Sequence, residues 1–242
     1  MTDWAGFLAG FHEDRPGITE DLLSLARVDG LTPYAWAGQA VPAGGQVLDL
    51  CCGSAPLRDH LTPTSYVGID LSAAELARAA ARGVPVVRAD ATRLPLADAC
   101  VDAVVVSMAL MLVPLRQTLT EVGRVLRPGG VVVATLPARG PLPFGDLLRY
   151  GRLSLALRVR GHSYPNDAEL ADFPSVAGLR VVDDSARVFV LDVDTVARAD
   201  LLLDALYLPE VAPDRLAAAR WVVARWVGHR VAIPIRRIVL SR

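Results

Sequence analysis

Short apolar runs without polar alternation recur through the middle of the chain, and amphipathic stretches separate them. Five of these runs predict strands, at residues 47–50, 66–70, 84–89, 101–107 and 131–136, and residues 179–192 and 231–240 are also strand-like. Strands of a parallel sheet are covered on both faces, which explains the missing polar alternation. The pattern therefore predicts an open, mostly parallel sheet of seven strands.

The segments between the strands carry helix signals. Ser72 and Glu75 form a predicted capping box, in which the Ser72 hydroxyl accepts from the Glu75 amide and the Glu75 side chain returns to Ser72. A helical period over 115–126 stops before Arg127-Pro128-Gly129-Gly130, which ends a helix. Further helices are predicted within 1–43 and at 143–157, 195–207 and 213–227. This alternation is typical of α/β proteins with helices on both faces of the sheet.

Composition narrows the class of protein. Of the 242 residues, 52% are hydrophobic, so a large core is available and we expect one domain. The 25 basic residues, all Arg, nearly balance the 26 acidic ones, which argues against a nucleic-acid or membrane-surface partner. Cys51, Cys52 and Cys100 are odd in number and fit neither a disulfide framework nor a zinc site, so no metal is expected.

The mean hydropathy of +0.36 requires a test for a membrane span. The longest strongly apolar, charge-free run covers residues 103–115, shorter than the ~20 residues that cross a bilayer. The first residues show no secretory signal. We therefore expect a cytoplasmic protein without a membrane partner.

Acidic residues stand where three predicted strands end. Asp49 precedes the tight turn Cys51-Cys52-Gly53-Ser54-Ala55-Pro56, Asp70 ends the second strand, and Asp90 follows the third. In open α/β sheets ligands bind at the carboxyl ends of the strands. A carboxylate at Asp70 suits two ribose hydroxyls, one at Asp90 suits an exocyclic amine, and the helix after the turn favours a negative group.

This ordered set resembles the class I S-adenosylmethionine-dependent methyltransferases, in particular the small-molecule enzymes of quinone biosynthesis, over roughly residues 40–140. The family's first motif, apolar-apolar-Asp-x-Gly-x-Gly-x-Gly, is matched at residues 47–55 with Cys51 and Ala55 in place of two glycines. Its later signature, Arg-Val-Leu-x-Pro-Gly-Gly, is matched without a gap at residues 124–130, three residues after Glu121.

The resemblance implies a Rossmann-like, doubly wound fold with helical lid elements. It divides the domain into an N-terminal helical lid (1–43), a cofactor-binding core (44–140) and substrate-side helices with the last strands (141–242). It also implies that S-adenosylmethionine is the cofactor and that nine residues hold it. Asp49, Cys51 and Gly53 would line the methionine, Asp70 the ribose, Leu71, Asp90 and Ala91 the adenine, and Ser107 and Met108 the sulfonium and the substrate.

The residues at the end of the fourth strand disfavour two kinds of methyltransferase. Ser107-Met108 is neither the motif used for nucleobase amino groups nor the acid of the metal-dependent catechol type. These absences favour metal-independent transfer to a small-molecule acceptor. Because the loop 111–114 carries no polar side chain, a general base has to come from elsewhere, and four residues are candidates: His12, Tyr34, His162 and Tyr164.

Several alternatives stay open from the sequence. Cys51 favours a non-catalytic relative that keeps the fold as a binding module, and Arg149, Arg152, Arg158 and Arg160 suggest an anionic substrate or RNA, although a solvated helix face explains them as well. A nicotinamide dehydrogenase is disfavoured because Pro56 stands at the third glycine position of its motif. Trp221 and Trp226 predict the core of a C-terminal lid or a homodimer face.

Overall fold

A computed structural model describes residues 3–138, 140–159, 164–166 and 179–242. It contains one seven-stranded sheet in the order β3-β2-β1-β4-β5-β7-β6. The strands are β1 (Gln46–Leu50), β2 (Ser65–Asp70), β3 (Val86–Arg88), β4 (Val101–Ser107), β5 (Leu126–Pro137), β6 (Arg180–Val193) and β7 (His229–Ser241). The first five are parallel, and β7 pairs antiparallel with β5 and β6. The predicted fold class is confirmed.

Eight helices accompany the sheet in the described part of the chain. They are α1 (Trp4–Asp14), α2 (Ile18–Leu23), α3 (Pro33–Gly38), α4 (Ala73–Ala81), α5 (Leu115–Val125), α6 (Phe144–Leu157), α7 (Val196–Asp204) and α8 (Pro213–Val223). Short 3-10 turns cover Pro56–His60 and Ala224–Trp226. No helix among the described residues is long and apolar enough to cross a bilayer.

The period of two along the central strands divides the core between the two faces of the sheet. Leu48 and Val104 pack on one face with α5, whereas Val47 and Val105 pack on the other face with Trp36 of α3. Covering both faces leaves only the strand ends open to a ligand. The carboxyl ends of β1 to β4 are therefore the place where a site is expected.

The signature at residues 124–130 stabilises the fold through hydrogen bonds and close packing. Arg124 donates to Glu121 at 2.8 Å and to the carbonyls of Leu94 and Leu96, and the charge-assisted bond from Arg124 lowers the pKa of Glu121 to about 2. Gly130 has no room for a Cβ, which would lie 2.9 Å from the carbonyl oxygen of Asp102. The signature thus fastens the segment after β3 to α5. Residues 127–130 belong to β5, not to a turn as the sequence predicted, because Leu126 already pairs with Val101.

The last two strands extend beyond the rest of the sheet. The pairing of β5 with β7 stops at Pro137 and Ile235, but β6 and β7 continue to Val193 and His229. A separate apolar cluster that includes Leu153, Leu191 and Trp226 packs α6, α7 and α8 against this extension. The C-terminal helices therefore stand at the sheet edge that carries the ends of β1 to β4.

Candidate functional site

One cavity of about 1120 Å³ opens at the carboxyl ends of β1 to β4. Its volume lies slightly above the range of ~300–1,000 Å³ that is usual for small-molecule sites. All nine residues predicted to hold a cofactor line it: Asp49, Cys51, Gly53, Asp70, Leu71, Asp90, Ala91, Ser107 and Met108. The three strand-end carboxylates therefore converge on one space.

The loop after β1 explains the glycine positions of the first motif. Residues 51, 53 and 55 all have positive φ, at 54°, 54° and 60°. Glycine adopts this left-handed conformation without steric cost, whereas Cys51 and Ala55 adopt it at a cost of ~1–2 kcal/mol each. Cys51 nevertheless leaves the cavity open. Burial raises the pKa of its thiol, and the charges of Asp70, Asp49 and Asp90 raise it further, so the side chain is a neutral thiol.

Asp70 organises this loop before any ligand is present. One oxygen accepts from the Gly53 N–H at 2.9 Å, and the other accepts from the Ser72 N–H at 2.9 Å. A carboxylate has about four acceptor positions, so positions remain for two hydroxyl groups. Asp90 is held in a similar way, since its Oδ1 accepts from the amide and the hydroxyl of Thr92, both at 2.8 Å.

Asp49 is the buried acid of the site, with 1% of its surface exposed. It accepts a hydrogen bond from the Tyr66 hydroxyl at 2.8 Å. Burial raises its pKa to about 7, the Tyr66 bond partly opposes this shift, and the charge of Asp70 adds to it. The carboxyl therefore changes its charge near neutral pH, at a place where a cationic ligand group would favour the charged form.

Acidic side chains of the N-terminal segment accept hydrogen bonds from the loops that follow β1 and β2. Glu13 accepts from the Ser72 hydroxyl and from the Ala73 N–H at 2.8 Å. Glu20 accepts from the Ser54 hydroxyl. These bonds place α1 and the start of α2 beside α4 and the loop after β1, and Leu8, His12 and Gly17 line the cavity.

Glu75 has a role that the sequence did not predict. Its carboxylate is 3% exposed and accepts from the Gly17 N–H at 2.9 Å, and its Oε1 lies 3.0 Å from Nδ1 of His12. The capping box is thus only half correct: the Ser72 hydroxyl does accept from the Glu75 amide, but Asp70, not Glu75, accepts from the Ser72 amide. Glu75 is free for its distant partners for this reason.

His12 connects Glu75 to a second residue that the sequence analysis missed. Its Nε2 lies 3.3 Å from the Tyr207 hydroxyl, and both side chains line the cavity. With the Nδ1 proton directed at Glu75, the lone pair of the imidazole is on Nε2, where it accepts from the Tyr207 hydroxyl. A proton from a bound molecule can therefore reach His12 by way of that hydroxyl.

The other candidate bases are placed differently. Tyr34 lines the cavity, but burial raises its pKa well above the usual range, so it remains a phenol. Tyr164 packs beside Leu112 between two apolar clusters and does not line the cavity. His162 lies outside the described residues. Gln117 on α5 supplies a polar group to the cavity just beyond the loop 111–114, where none was expected.

Arg88 also lines the cavity, and it donates to the carbonyl of Leu71 at 2.8 Å. No group of three or more His, Cys, Asp or Glu side chains that could hold a metal ion occurs in the described ranges.

Comparison with known proteins agrees with this geometry. A family model described as "Methyltransferase domain" matches residues 48–134. Demethylmenaquinone methyltransferase of Mycobacterium tuberculosis is 47% identical over 116 residues, which are 47% of this chain and 50% of that protein. The enzyme of the same name from Mycolicibacterium paratuberculosis is 38% identical over 122 residues, or 49% of this chain and 53% of that one. The chain thus spans about half the length of the curated relatives it matches.

Solved structures show the same fold at low sequence identity. Geranyl diphosphate C-methyltransferase from Streptomyces coelicolor A3(2), crystallised with Mg²⁺, geranyl-S-thiolodiphosphate and S-adenosyl-L-homocysteine, superposes with a TM-score of 0.59 at 16% identity, covering 100% of this chain and 98% of that one. A [4+2]-cyclase superposes with a TM-score of 0.54 at 21% identity, covering 86% and 79%. The strand order and the strand-end acids therefore agree with the match of residues 48–134 to a methyltransferase domain.

Proposed function

We propose that this protein transfers the methyl group of S-adenosylmethionine to a small-molecule acceptor by in-line displacement, without a metal ion. The observation that carries the proposal is the convergence of Asp49, Asp70 and Asp90 on the cavity that the loop of residues 51–55 borders. Such a set of acceptors suits a molecule with an ammonium, two ribose hydroxyls and an adenine amine.

Each residue's proposed role follows from its position. Asp49 would face the ammonium of the methionine, with Cys51 and Gly53 beside it. Asp70 would accept from the ribose hydroxyls, because its two existing bonds hold the carboxylate at the loop. Leu71, which is 61% exposed, and Ala91 would enclose the adenine, and Asp90 would accept from its amine. Ser107 and Met108 would lie toward the sulfonium.

The cofactor supplies an electrophilic methyl group on a sulfonium. The protein's contribution is to hold an unprotonated nucleophile in line with it and to exclude water. Met108, Leu112 and Val113 give the acceptor end of the cavity an apolar wall. His12 would take the acceptor's proton on Nε2 by way of the Tyr207 hydroxyl, with Glu75 stabilising the imidazolium that forms. Tyr34 and Tyr207, whose pKa values burial raises, would donate hydrogen bonds.

The acceptor we propose is an apolar aromatic molecule of the quinol class. The apolar wall supports this choice, and so does the name of the mycobacterial relatives, demethylmenaquinone methyltransferase. A quinol hydroxyl is protonated at neutral pH, so its reaction calls for a base such as His12. The cytoplasmic location, the homodimer and the division into lid, core and substrate-side parts remain predictions.

Titration with S-adenosylhomocysteine in a calorimeter tests the proposal. Asp70→Ala is expected to weaken binding by ~1–3 kcal/mol, since a hydroxyl–carboxylate contact is lost. Asp214→Ala is the matched control, because Asp214 is an exposed acid on α8 outside the cavity, and it should bind as the parent does. Absence of binding at millimolar ligand would rule the proposal out.

The strained backbone at Cys51 supports a second candidate function. In it, the protein binds a ligand in the same cavity and does not catalyse a reaction. Transfer of an isotopically labelled methyl group from S-adenosylmethionine to a demethylmenaquinol distinguishes the two. Binding of S-adenosylhomocysteine without transfer to any acceptor in a metabolite extract would favour the non-catalytic protein.

A further inference from the structure

The outward face of α6 is apolar. Phe144, Leu147, Leu148 and Leu155 are 75%, 53%, 47% and 78% exposed. Their spacing of three, four and seven residues places them on one side of the helix. The opposite side is apolar too, since Leu153 and Leu157 are buried in the C-terminal cluster. A surface helix of a soluble domain usually has polar residues where α6 has these four.

Cations without a carboxylate partner border this apolar face. Arg152 and Arg158 of α6 form no ion pair within the described ranges, although arginines elsewhere, such as Arg124 and Arg236, are paired with acids. Arg225 lies across a groove from α6, with its guanidinium 3.0 Å from the ring centroid of Trp221. The positive charge of these three side chains is therefore available to an outside partner.

The one acid of α6 does not offset this charge. Asp146 is 3% exposed, accepts from the Ala232 N–H at 3.0 Å and pairs with Arg149 at 2.7 Å. The Asp146 carboxylate is thus neutralised by Arg149, and its hydrogen bond with Ala232 connects α6 to β7. The exposed side of α6 therefore carries no acidic side chain.

The apolar face continues onto α8. Leu148 and Arg152 line one groove of about 460 Å³ together with Trp221 and Arg225. Trp221 is 63% exposed. We call this surface the α6–α8 face; its members are Phe144, Leu147, Leu148, Arg152, Leu155, Arg158, Trp221 and Arg225.

We propose that the α6–α8 face docks on an anionic lipid bilayer surface, with its apolar side chains at the boundary of headgroups and acyl chains and its arginines on lipid phosphates. Helices that lie in a membrane interface have an apolar side bordered by basic residues. Tryptophan beside arginine suits the headgroup level, where one side chain is half apolar and the other contacts phosphate. The chain would lie on the membrane and not span it.

Charge selects the lipid surface over a second copy of the chain. A two-fold contact through the α6–α8 face would bring Arg152, Arg158 and Arg225 of both copies together, and the repulsion would oppose it. A layer of anionic phosphates neutralises all three at once. The near-neutral net charge predicted no membrane partner, because the charge balance of the whole chain does not reveal a local cationic face.

Sedimentation of the full chain with vesicles tests this proposal without any methyl acceptor. We expect the protein to sediment with vesicles of phosphatidylcholine mixed with phosphatidylglycerol but not with phosphatidylcholine alone, and to be released by high salt. The double variant Arg152→Glu, Arg225→Glu should lower the apparent affinity at least ~10-fold, as removal and reversal of two charges imply. Leu147→Ser with Leu155→Ser should lower it as well.

Controls separate docking from folding and from the proposed function. Arg116→Glu changes an exposed arginine on α5, away from the α6–α8 face, and should sediment as the parent does. Every variant should bind S-adenosylhomocysteine like the parent, so loss of that binding reports on the cavity and not on docking. The emission of Trp221 should shift to the blue with anionic vesicles, a shift that Trp221→Phe removes.

Three results would overturn the proposal. They are no sedimentation with anionic vesicles, sedimentation that neither double variant weakens, and a dimer in analytical ultracentrifugation that Leu147→Ser with Leu155→Ser dissociates while vesicle binding is absent.

Discussion

The Tyr66 hydroxyl donates a hydrogen bond to the Asp49 carboxyl at 2.8 Å, across neighbouring strands β1 and β2. This bond only partly opposes the effect of burial, which raises the pKa of Asp49 to about 7. A group that titrates near neutral pH inside a binding cavity couples ligand affinity to pH. Ligand affinity and folding stability should therefore both depend on the charge of Asp49.

Binding of S-adenosylhomocysteine should strengthen as pH rises from about 5 to 8. Its ammonium favours ionised Asp49, and the proton that leaves the carboxyl at lower pH is released to the solvent. Calorimetry at about pH 6.5 in two buffers of different ionisation enthalpy measures the proton count, and a release of about half a proton or more is expected. Asp49→Asn should bind more weakly and without this release. Equal heats in both buffers would contradict the assignment.

Asp49→Asn should also stabilise the ligand-free protein at alkaline pH. The pKa of Asp49 is raised above its ordinary value of 3.8, so folding stability is lost as pH rises from about 4 through about 7, where the buried carboxyl must ionise. The gain from asparagine, which can still accept from Tyr66, should reach at most ~4 kcal/mol above pH 7. Urea denaturation at pH 8 and at pH 4.5 measures it, and a gain independent of pH would exclude this cause.

His12 and Glu75 should affect turnover more than cofactor binding. His12→Ala is expected to lower kcat with a demethylmenaquinol by ~10²–10⁴-fold, the usual contribution of a general base. Glu75→Gln should lower kcat less, because the amide can still accept from Gly17 while it no longer stabilises the imidazolium. The matched control is His229→Ala, at an exposed histidine far from the cavity lining. Unchanged kcat in His12→Ala would assign the base elsewhere.

Cys51→Gly should raise stability and preserve cofactor binding. Residue 51 has a φ of 54°, and glycine removes the strain at that position. The net gain is expected to be up to ~1 kcal/mol, because the greater freedom of glycine in the unfolded chain offsets part of it. Cys100→Gly is the control: Cys100 is not among the positive-φ residues, so glycine there should lower the melting temperature. Scanning calorimetry compares the two, and a lower melting temperature for Cys51→Gly would refute the strain.

The fold was predictable because local and global signals agree in the central strands. Val104 and Val105 are both apolar because both faces of β4 are covered, so the run is visible without the structure. The same holds for the site's acids, since Asp49, Asp70 and Asp90 each stand at a strand end. A parallel sheet brings such ends to one edge, so their convergence followed from the order of the elements.

Glu75 and Tyr207 could not be found in this way. The local pattern around Ser72 describes a capping box, and only the arrival of α1 and Gly17, about sixty residues earlier in the chain, gives the Glu75 carboxylate other partners. Tyr207 stands in no motif, and its contact with His12 joins residues 195 positions apart. Contacts of this kind depend on how the terminal segments pack, which periodicity does not encode.

Helix α6 was predicted, but its orientation was not. Its two sides are both apolar, so the sequence does not say that Leu153 faces inward while Leu155 faces solvent. The arginines gave the expectation of a solvated face. The structure places Arg152 on the same helix as the exposed Phe144 and Leu155, and Arg160 lies outside the described residues.

The cavity wall is assembled from two parts of the chain. Residues from β1 to α5 line one part of the cavity, and α1, Tyr34 and Tyr207 line another. The region that matches the methyltransferase domain, residues 48–134, contains only the first part. If the protein has the proposed function, substitutions in the terminal segments would change the acceptor that the cavity takes and leave the residues proposed for the methyl donor unchanged.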